Sequence, residues 1–226
     1  MAMIFASCGG DRQIFLWDVA TGRIIRKLKG HEAVINTVVY GGEDYSILVT
    51  GGYDRAVKVW DCRSRSFDPV QVMQDAADSV THVSVSPNAE ILAASVDGCV
   101  RRYDVRAGRL YTDTLFAPVT CAVLAHDAAM YAAACMDGTI RLLDRVEGHK
   151  HTSTKLEACF MPEDDLILSG SEDGNVFVWD VASGEQRTSF RAHSDTLTSI
   201  ALQPEGKLLC TASVDGLVKV WVSEEA

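Results

Sequence analysis

Six segments of this chain repeat one pattern, and this repetition limits the fold more than any other feature of the sequence. In each segment, small residues lead into a turn at an aspartate, and alternating apolar residues follow the turn. The segments are residues 7–18, 50–61, 93–104, 133–144, 169–180 and 211–222, and their turn aspartates are Asp11, Asp54, Asp97, Asp137, Asp173 and Asp215. The aspartates lie 36 to 43 residues apart. A period of about 40 residues is typical of chains built from copies of one supersecondary unit.

Each unit is predicted to be a small antiparallel sheet. Asp favours the turn because its short side chain bonds the local backbone, and the Gly that follows it in several copies tolerates a positive φ. The alternation after the turn, as in Ala56-Val-Lys-Val-Trp60, predicts a strand with one face more deeply buried. Further apolar runs bring each unit to about four strands, so we predict an all-β fold, a β-propeller. We assign a single domain to residues 1–226, with units at approximately 1–30, 31–74, 75–114, 115–148, 149–191 and 192–226.

Three units carry a longer signature. A His precedes the turn Asp by 22 to 24 residues, a Ser or Thr lies four residues before it, and a Trp lies six residues after it. The three sets are His31, Thr50, Asp54 and Trp60; His149, Ser169, Asp173 and Trp179; and His193, Thr211, Asp215 and Trp221. A catalytic Ser-His-Asp triad is the alternative interpretation of these residue types. Recurrence at fixed spacing favours a structural module, and we predict that the chain is not an enzyme.

These signatures resemble those of WD-repeat proteins from about residue 4 to residue 222. Longer strings, among them SCGGDRQIFLWDVATGRIIRKLKGHE, VWDCRSRSFDPVQ and SVDGCVRRYDVRAGRL, are similar to the mitogen-activated protein kinase organiser family. The resemblance implies that each set forms a buried network in which the indole donates and the Asp orients the imidazole. It also implies a non-enzymatic scaffold for kinase-cascade components and for splicing factors of the spliceosome in pre-mRNA splicing, placed in cytoplasm and nucleus.

The sequence departs from the repeat in two further units. In units three and four, Ala93 and Ala133 replace the hydroxyl, and Tyr103 and Leu143 replace the Trp. Both units therefore lack the full network, and we predict that they form less rigid blades.

The resemblance implies a seven-bladed ring, and the chain is predicted to form it incompletely. Asp137 precedes His149 by 12 residues, whereas the equivalent interval from Asp11 to His31 is 20, so the fourth blade is predicted to lack an outer strand near 145–148. Six units are recognisable, and both terminal units are predicted to be incomplete. We expect a truncated form of marginal stability, because unpaired strand edges invite aggregation.

A short motif suggests a second function. Trp60-Asp61-Cys62-Arg63 matches the Trp-Asp-x-Arg signature through which some WD-repeat proteins dock on the adaptor of cullin-type ubiquitin ligases, and Tyr103-Asp104-Val105-Arg106 is a near match. The alternative function is thus a substrate receptor in which Arg63 and Arg106 reach acidic or carbonyl groups of the adaptor. The competing interpretation is that Asp61 and Arg63 cap the strand end and pair locally.

Charge narrows the range of partners. The formal net charge is −10, which argues against a broad basic surface for nucleic acid. One local basic cluster is present, for which solvated strand faces are the favoured interpretation and an RNA or acidic-protein contact is the alternative. Its members are Arg55, Lys58, Arg63 and Arg65, joined in the next unit by Arg101, Arg102 and Arg106.

The sequence predicts neither a cofactor nor a metal site. No pair of the seven cysteines has Cys-x-x-Cys spacing, which predicts reduced thiols in a reducing compartment. His149-Lys-His151 has no third ligand nearby, and the glycine pairs lack a phosphate-loop pattern. No stretch reaches the roughly 18 consecutive apolar residues that a membrane span needs, so no membrane partner is expected.

Residues beside the turn aspartates are the candidates for contact with a protein partner. Propellers usually bind partners on the face formed by the turn-Asp loops, and Tyr and Met side chains suit such contacts. The predicted interaction residues are Tyr53, Arg55, Met136 and Glu172.

Overall fold

The computed structural model describes residues 4–42, 45–86, 90–125, 130–144, 158–203 and 205–222. All helical or extended secondary structure assigned within these residues is β-strand, and no helix occurs there. The chain forms two compact units, Met1–Pro118 and Val119–Ala226.

Three antiparallel sheets follow one another in the first unit, and within each sheet the strands lie in chain order. Blade one contains β1 (Ile4–Cys8), β2 (Gln13–Asp18) and β3 (Arg23–Lys29). Blade two contains β4 (Ile35–Gly41), β5 (Ile47–Gly52), β6 (Val57–Asp61) and β7 (Gln71–Met73). Blade three contains β8 (Val80–Val85), β9 (Glu90–Ser95), β10 (Cys99–Asp104) and β11 (Arg109–Thr114).

The second unit repeats this arrangement. Blade four contains β12 (Val119–Leu124), β13 (Met130–Cys135) and β14 (Ile140–Asp144). Blade five contains β15 (Ala158–Phe160), β16 (Leu166–Gly170), β17 (Asn175–Asp180) and β18 (Gln186–Arg191). Blade six contains β19 (Leu197–Leu202), β20 (Leu208–Ser213) and β21 (Val218–Val222).

The predicted all-β fold of repeated small antiparallel sheets is confirmed. Blades two, three and five have four strands, and blades one, four and six have three within the described residues. The outer strand predicted to be missing near 145–148 lies outside the described residues, as does His149. The seven-bladed ring and the single domain stay predictions.

All six turns have the same local geometry. Each turn Asp accepts a hydrogen bond from the backbone N–H two residues later, at distances of 3.0 to 3.4 Å. The residue between them has a positive φ in every blade: Arg12, Arg55, Gly98, Gly138, Gly174 and Gly216. The Asp side chain therefore closes the hairpin, and the next residue must adopt a left-handed conformation that only Gly enters without strain.

Apolar side chains from neighbouring blades pack face to face within each unit. In the first unit, Ile14 and Leu16 of blade one pack with Leu48 and Trp60 of blade two. A second cluster joins Val49, Val57 and Val59 of blade two to Val80, Val83 and Ile91 of blade three. The second unit has two equivalent clusters. Each fully buried aliphatic side chain contributes roughly 1.5–3 kcal/mol, so these inter-blade layers are the main source of stability.

Small residues allow the blades to approach closely. A Cβ added to Gly51 would lie 2.5 Å from Val80, and one added to Gly170 would lie 2.4 Å from Leu197. Both glycines stand three residues before a turn Asp. The close contact therefore recurs at the same place in the two units, on the blade face opposite to the Thr50 and Ser169 side chains.

Candidate functional site

Blade two brings its four signature residues into one hydrogen-bonded network. His31 Nδ1 lies 2.9 Å from both carboxylate oxygens of Asp54, and His31 Nε2 lies 2.7 Å from Thr50 Oγ1. Trp60 Nε1 donates to Thr50 Oγ1 at 2.9 Å. Three elements are thus tied together: the loop before β4, strand β5 and strand β6.

The acceptor groups determine which tautomer His31 adopts. A carboxylate only accepts, so Nδ1 carries the proton toward Asp54, and Nε2 accepts from the Thr50 hydroxyl. Burial lowers the pKa of the His31 imidazole, and this effect outweighs the opposite effect of Asp54. The network therefore holds a neutral histidine.

Lys58 and Glu32 complete the surroundings of Asp54. The Glu32 N–H donates to Asp54 Oδ2 at 3.0 Å, and Lys58 Nζ lies 3.4 Å from the same carboxylate. Lys58 Nζ also donates to the Gly30 carbonyl at 2.6 Å. Burial acts to raise the pKa of Asp54, but the Glu32 N–H, His31 and Lys58 lower it by more. The interpretation of Lys58 as part of a solvated strand face is therefore wrong, because its side chain is buried.

Blade six has the same arrangement in the second unit. His193 Nδ1 lies 3.0 Å from Asp215, His193 Nε2 lies 2.8 Å from Thr211, and Trp221 donates to Thr211 at 3.0 Å. Lys219 Nζ donates to the Ala192 carbonyl at 2.6 Å, as Lys58 does to Gly30. Burial acts to raise the pKa of Asp215, but backbone N–H groups and His193 lower it by more, to about 2.

The structure brings together part of the third set, and it adds one pair that the sequence analysis missed. In blade five, Trp179 donates to Ser169 at 3.0 Å, and Asp173 accepts from Asn175. In blade one, Trp17 donates to Ser7 at 2.8 Å. The signal for this pair was present, because Ser7 stands four residues before Asp11 and Trp17 stands six after it.

An arginine is the main partner of the turn Asp in blades three and four. Arg101 Nη2 lies 2.8 Å from Asp97 Oδ2, and both side chains are buried. Arg141 Nη2 lies 2.5 Å from Asp137 Oδ2 in a more open setting. Burial acts to raise the pKa of Asp97, but Arg101 and two backbone N–H groups lower it by more. Arg101, like Lys58, is therefore no solvated strand residue.

In blades two and six, the histidine and the hydroxyl of the network are shielded from solvent. Thr50 is fully buried, and the side chains of His31 and His193 are inaccessible to solvent. All seven cysteines lie in described segments, and none forms a disulfide. The described residues contain no group of three or more His, Cys, Asp or Glu that could hold a metal ion. No helix long and apolar enough to span a membrane occurs within the described part of the chain.

The predicted interaction residues are exposed, and two of them share a surface. Tyr53 is 65% exposed and lies with Arg55 at an open depression of about 640 Å³ that Glu32 and Gln74 also line. Arg55 donates to the Ala77 carbonyl at 3.4 Å. Met136 and Glu172 are exposed residues of the second unit. Only Tyr53 and Arg55 therefore form one described patch.

The Trp-Asp-x-Arg motif is folded as a local cap. Asp61 Oδ1 accepts from the Arg63 N–H at 2.9 Å and lies 3.4 Å from Arg63 Nε. The Arg63 side chain is nonetheless 67% exposed, and Arg106 is exposed in the loop after β10. Both the local pairing and the outward position that docking needs are present.

Comparisons with known proteins agree with this geometry. The WD domain, G-beta repeat, matches residues 22–61, 67–104, 143–180 and 184–222. The chain is similar to the WD repeat domain-containing protein 83 homolog of Dictyostelium discoideum, with 31% identity over 84% of this chain and 69% of that protein.

Two mammalian relatives align over a shorter region. WD repeat domain-containing protein 83 is 42% identical in Rattus norvegicus and 40% identical in Homo sapiens, each over 54% of this chain and 41% of the relative. The matched region thus spans less than half of these two relatives. WD repeat domain-containing protein 83 is also mitogen-activated protein kinase organiser 1, so the resemblance to the organiser family is confirmed as homology. The chain therefore belongs to the WD-repeat family, as a homologue of WD repeat domain-containing protein 83.

Proposed function

We propose that the chain is a scaffold of the kinase-organiser type that assembles kinase-cascade components and splicing factors in the cytoplasm and nucleus. The observation that carries the proposal is that the polar signature residues are bonded to one another, while their neighbours are exposed. His31, Thr50 and Asp54 form hydrogen bonds within blade two, whereas Tyr53 and Arg55 next to them face solvent. Homology to WD repeat domain-containing protein 83 supports a protein-interaction role.

Affinity purification of the tagged full chain from cells, followed by mass spectrometry, tests the proposal. Kinase-cascade components or splicing factors should be enriched, and Tyr53→Ala should reduce their recovery. Tyr45→Ala is the matched control, because Tyr45 is 70% exposed in the same unit and does not line the depression. Absence of both partner classes from the wild-type sample would refute the proposal.

A second candidate function is that of a substrate receptor for a cullin-type ubiquitin ligase. The exposure of Arg63, two residues after β6, favours it, although Asp61 already binds this side chain. Recovery of the ligase adaptor by wild type and its loss in Arg63→Ala would establish this function. Kinases or splicing factors recovered without adaptor would reject it.

A further inference from the structure

One loop of blade two differs from its counterparts in the first unit. The connection from β6 to β7 has nine residues, 62–70, whereas the equivalent connections in blades one and three have four, 19–22 and 105–108. Residues 62–66 also fall between two matched repeats. The repeat alone does not require this loop, so its conformation calls for a separate explanation.

Arg26 of β3 holds the loop in place. Its Nη1 donates to the carbonyls of Cys62 at 3.3 Å and Ser64 at 2.6 Å, and its Nη2 donates to the Ser66 carbonyl. The guanidinium also stacks over the Phe67 ring, 5.4 Å from its centroid. Blade one thus fixes the loop before any partner arrives, which lowers the ordering cost of binding.

The loop and β3 border an open depression with apolar side chains along part of its wall. Its volume is about 690 Å³. Ile24, Ile25 and Phe67 line it and are 40%, 53% and 61% exposed. We name this depression the basic groove, because of the cations described below.

A β-bulge interrupts the pairing of β3 beside the groove. Leu16 lies opposite Arg26 and Trp17 opposite Ile24, so Ile25 is the extra residue in β3. Blade five has a bulge at the same place, where the extra residue is Arg187, and it pairs with Asp180. Blade one therefore presents an aliphatic side chain where blade five presents a charged one.

Cations line the groove beside these apolar walls. Lys27, Arg63 and Arg65 line it together with Arg26, whose guanidinium already binds three carbonyls. Arg65 is exposed and pairs with no carboxylate among the described residues. In a chain of net charge −10, this is a patch of opposite sign. Charge and shape therefore select an anionic ligand that carries an apolar group.

We propose that the basic groove binds an acidic peptide segment that carries a large aliphatic or aromatic side chain. The apolar side chain enters between Ile25 and Phe67, and flanking Asp or Glu residues pair with Arg65 and with Arg63, which also contacts Asp61. Aliphatic walls favour a peptide over RNA, since phosphates gain nothing from Ile24 and Ile25. The inference rests on the proposed scaffold function and assigns one partner class to a defined surface.

Fluorescence anisotropy with the full chain tests the groove. The probe is a labelled peptide with a central Leu-Phe pair flanked by Asp and Glu; one comparison peptide has Lys for the acids and another has Ala for Leu-Phe. Only the first should bind well, and its affinity should fall as ionic strength rises from about 0.01 M to about 0.15 M. Arg65→Glu and Ile25→Ser should each weaken binding about tenfold. The control Arg109→Glu, at an exposed cation of blade three outside the groove, should not.

Any of these binding results would overturn the proposal: no binding of the acidic peptide, equal binding of the Lys peptide, an unchanged affinity in Arg65→Glu, or tighter binding of an RNA oligonucleotide that needs the same cations. A wild-type dimer that becomes monomeric in Arg65→Glu would assign the groove to a second copy instead. Melting curves of each variant exclude misfolding. If cellular partners are still captured while the peptide fails, the groove assignment is wrong and the scaffold proposal stands.

Discussion

Blades two and three solve one structural problem with different chemistry. In blade two, Asp54 is held by neutral His31 and by the Glu32 N–H. In blade three, Asp97 accepts from the Ala77 N–H at 2.8 Å, so that Ala76 stands where His31 stands. Arg101 fills the role of the absent histidine. A turn Asp that is buried, as in these two blades, needs a partner because an uncompensated buried charge is costly, but the partner can differ.

The difference shows that the repeat keeps the position of the turn Asp but allows different residues to pair with it. The side chain four positions after the turn Asp lies on the same face of the blade as the Asp side chain, because side chains along a strand alternate with period two. That position holds Lys58 in blade two and Arg101 in blade three. In blade two the cation assists the histidine, and in blade three the cation replaces it. The absence of the full network in blade three therefore does not leave its Asp unpaired.

The largest expected effect comes from removal of the Arg101 side chain. Arg101→Ala leaves Asp97 buried without its cation, and the free energy of unfolding should fall by about 3 kcal/mol. Chemical denaturation measures the loss, and hydrogen exchange at the Ala77 N–H should show it locally. Arg109→Ala, at an exposed position of blade three, is the control. Equal stability of the two variants would show that the ion pair is dispensable.

The second-largest loss of stability is expected when the hydrogen-bond network of blade two is broken. Thr50→Val keeps the shape of the side chain but leaves His31 Nε2 and Trp60 Nε1 without their shared hydroxyl, which should cost about 2 kcal/mol. Thr112→Val, at an exposed site in β11, should change little. The comparison predicts that exchange protection is lost at Glu32 and retained at Ala77. Loss at both would mean that the blades are coupled as one unit.

A pH titration separates the two blades by a smaller effect. The pKa of His31 is lowered in the folded chain, so the unfolded state binds more protons and stability falls as the pH drops below about 6.5. Asp97 has a lowered pKa and Arg101 stays charged, so blade three should keep its anchor until the pH approaches the ordinary range of Asp. Protection factors at Glu32 and Ala77 between about pH 7 and 5 measure the difference. His31→Gln should flatten the response at Glu32, whereas His82→Gln should not.

The smallest effect has the opposite sign. Arg55 holds a φ of 63° where blade three has Gly98 at 80°. Arg55→Gly removes left-handed strain and should stabilise the chain by about 0.5 kcal/mol, since the greater freedom of Gly in the unfolded state offsets part of the gain. Thermal melting detects the shift. Gly98→Ala should destabilise, because its Cβ would lie 3.3 Å from the Ala117 backbone.

The sequence predicted what depends on local spacing. Six aspartates at fixed intervals were enough to place the hairpins, because each turn is closed by bonds within two residues. The pair of Ser7 and Trp17 was missed because the His was required as part of the signature. The buried role of Lys58 was also readable from its period-two position relative to Asp54.

The basic groove was beyond reach of the sequence. Arg63 and Arg65 were grouped with Lys58, which is close along the chain, and with Arg101 of the next unit. In the folded chain the loop of residues 62–70 contacts Arg26, which lies 36 or more residues earlier. The side chains of Lys58 and Arg101 are buried elsewhere. A contact of this kind follows from the packing of one blade on the next, which spacing within a repeat does not encode.

The hydrogen bonds from Arg26 to the loop of residues 62–70 affect limited proteolysis. Arg63 and Arg65 present two trypsin sites in a nine-residue loop, which by exposure alone should be cut first. A protease must draw several residues of backbone into an extended shape, yet the carbonyls of Cys62, Ser64 and Ser66 are held by one guanidinium. Cleavage here should therefore wait for local unfolding. The rate of nicking at Arg63 would report how often blade one releases its neighbour's loop.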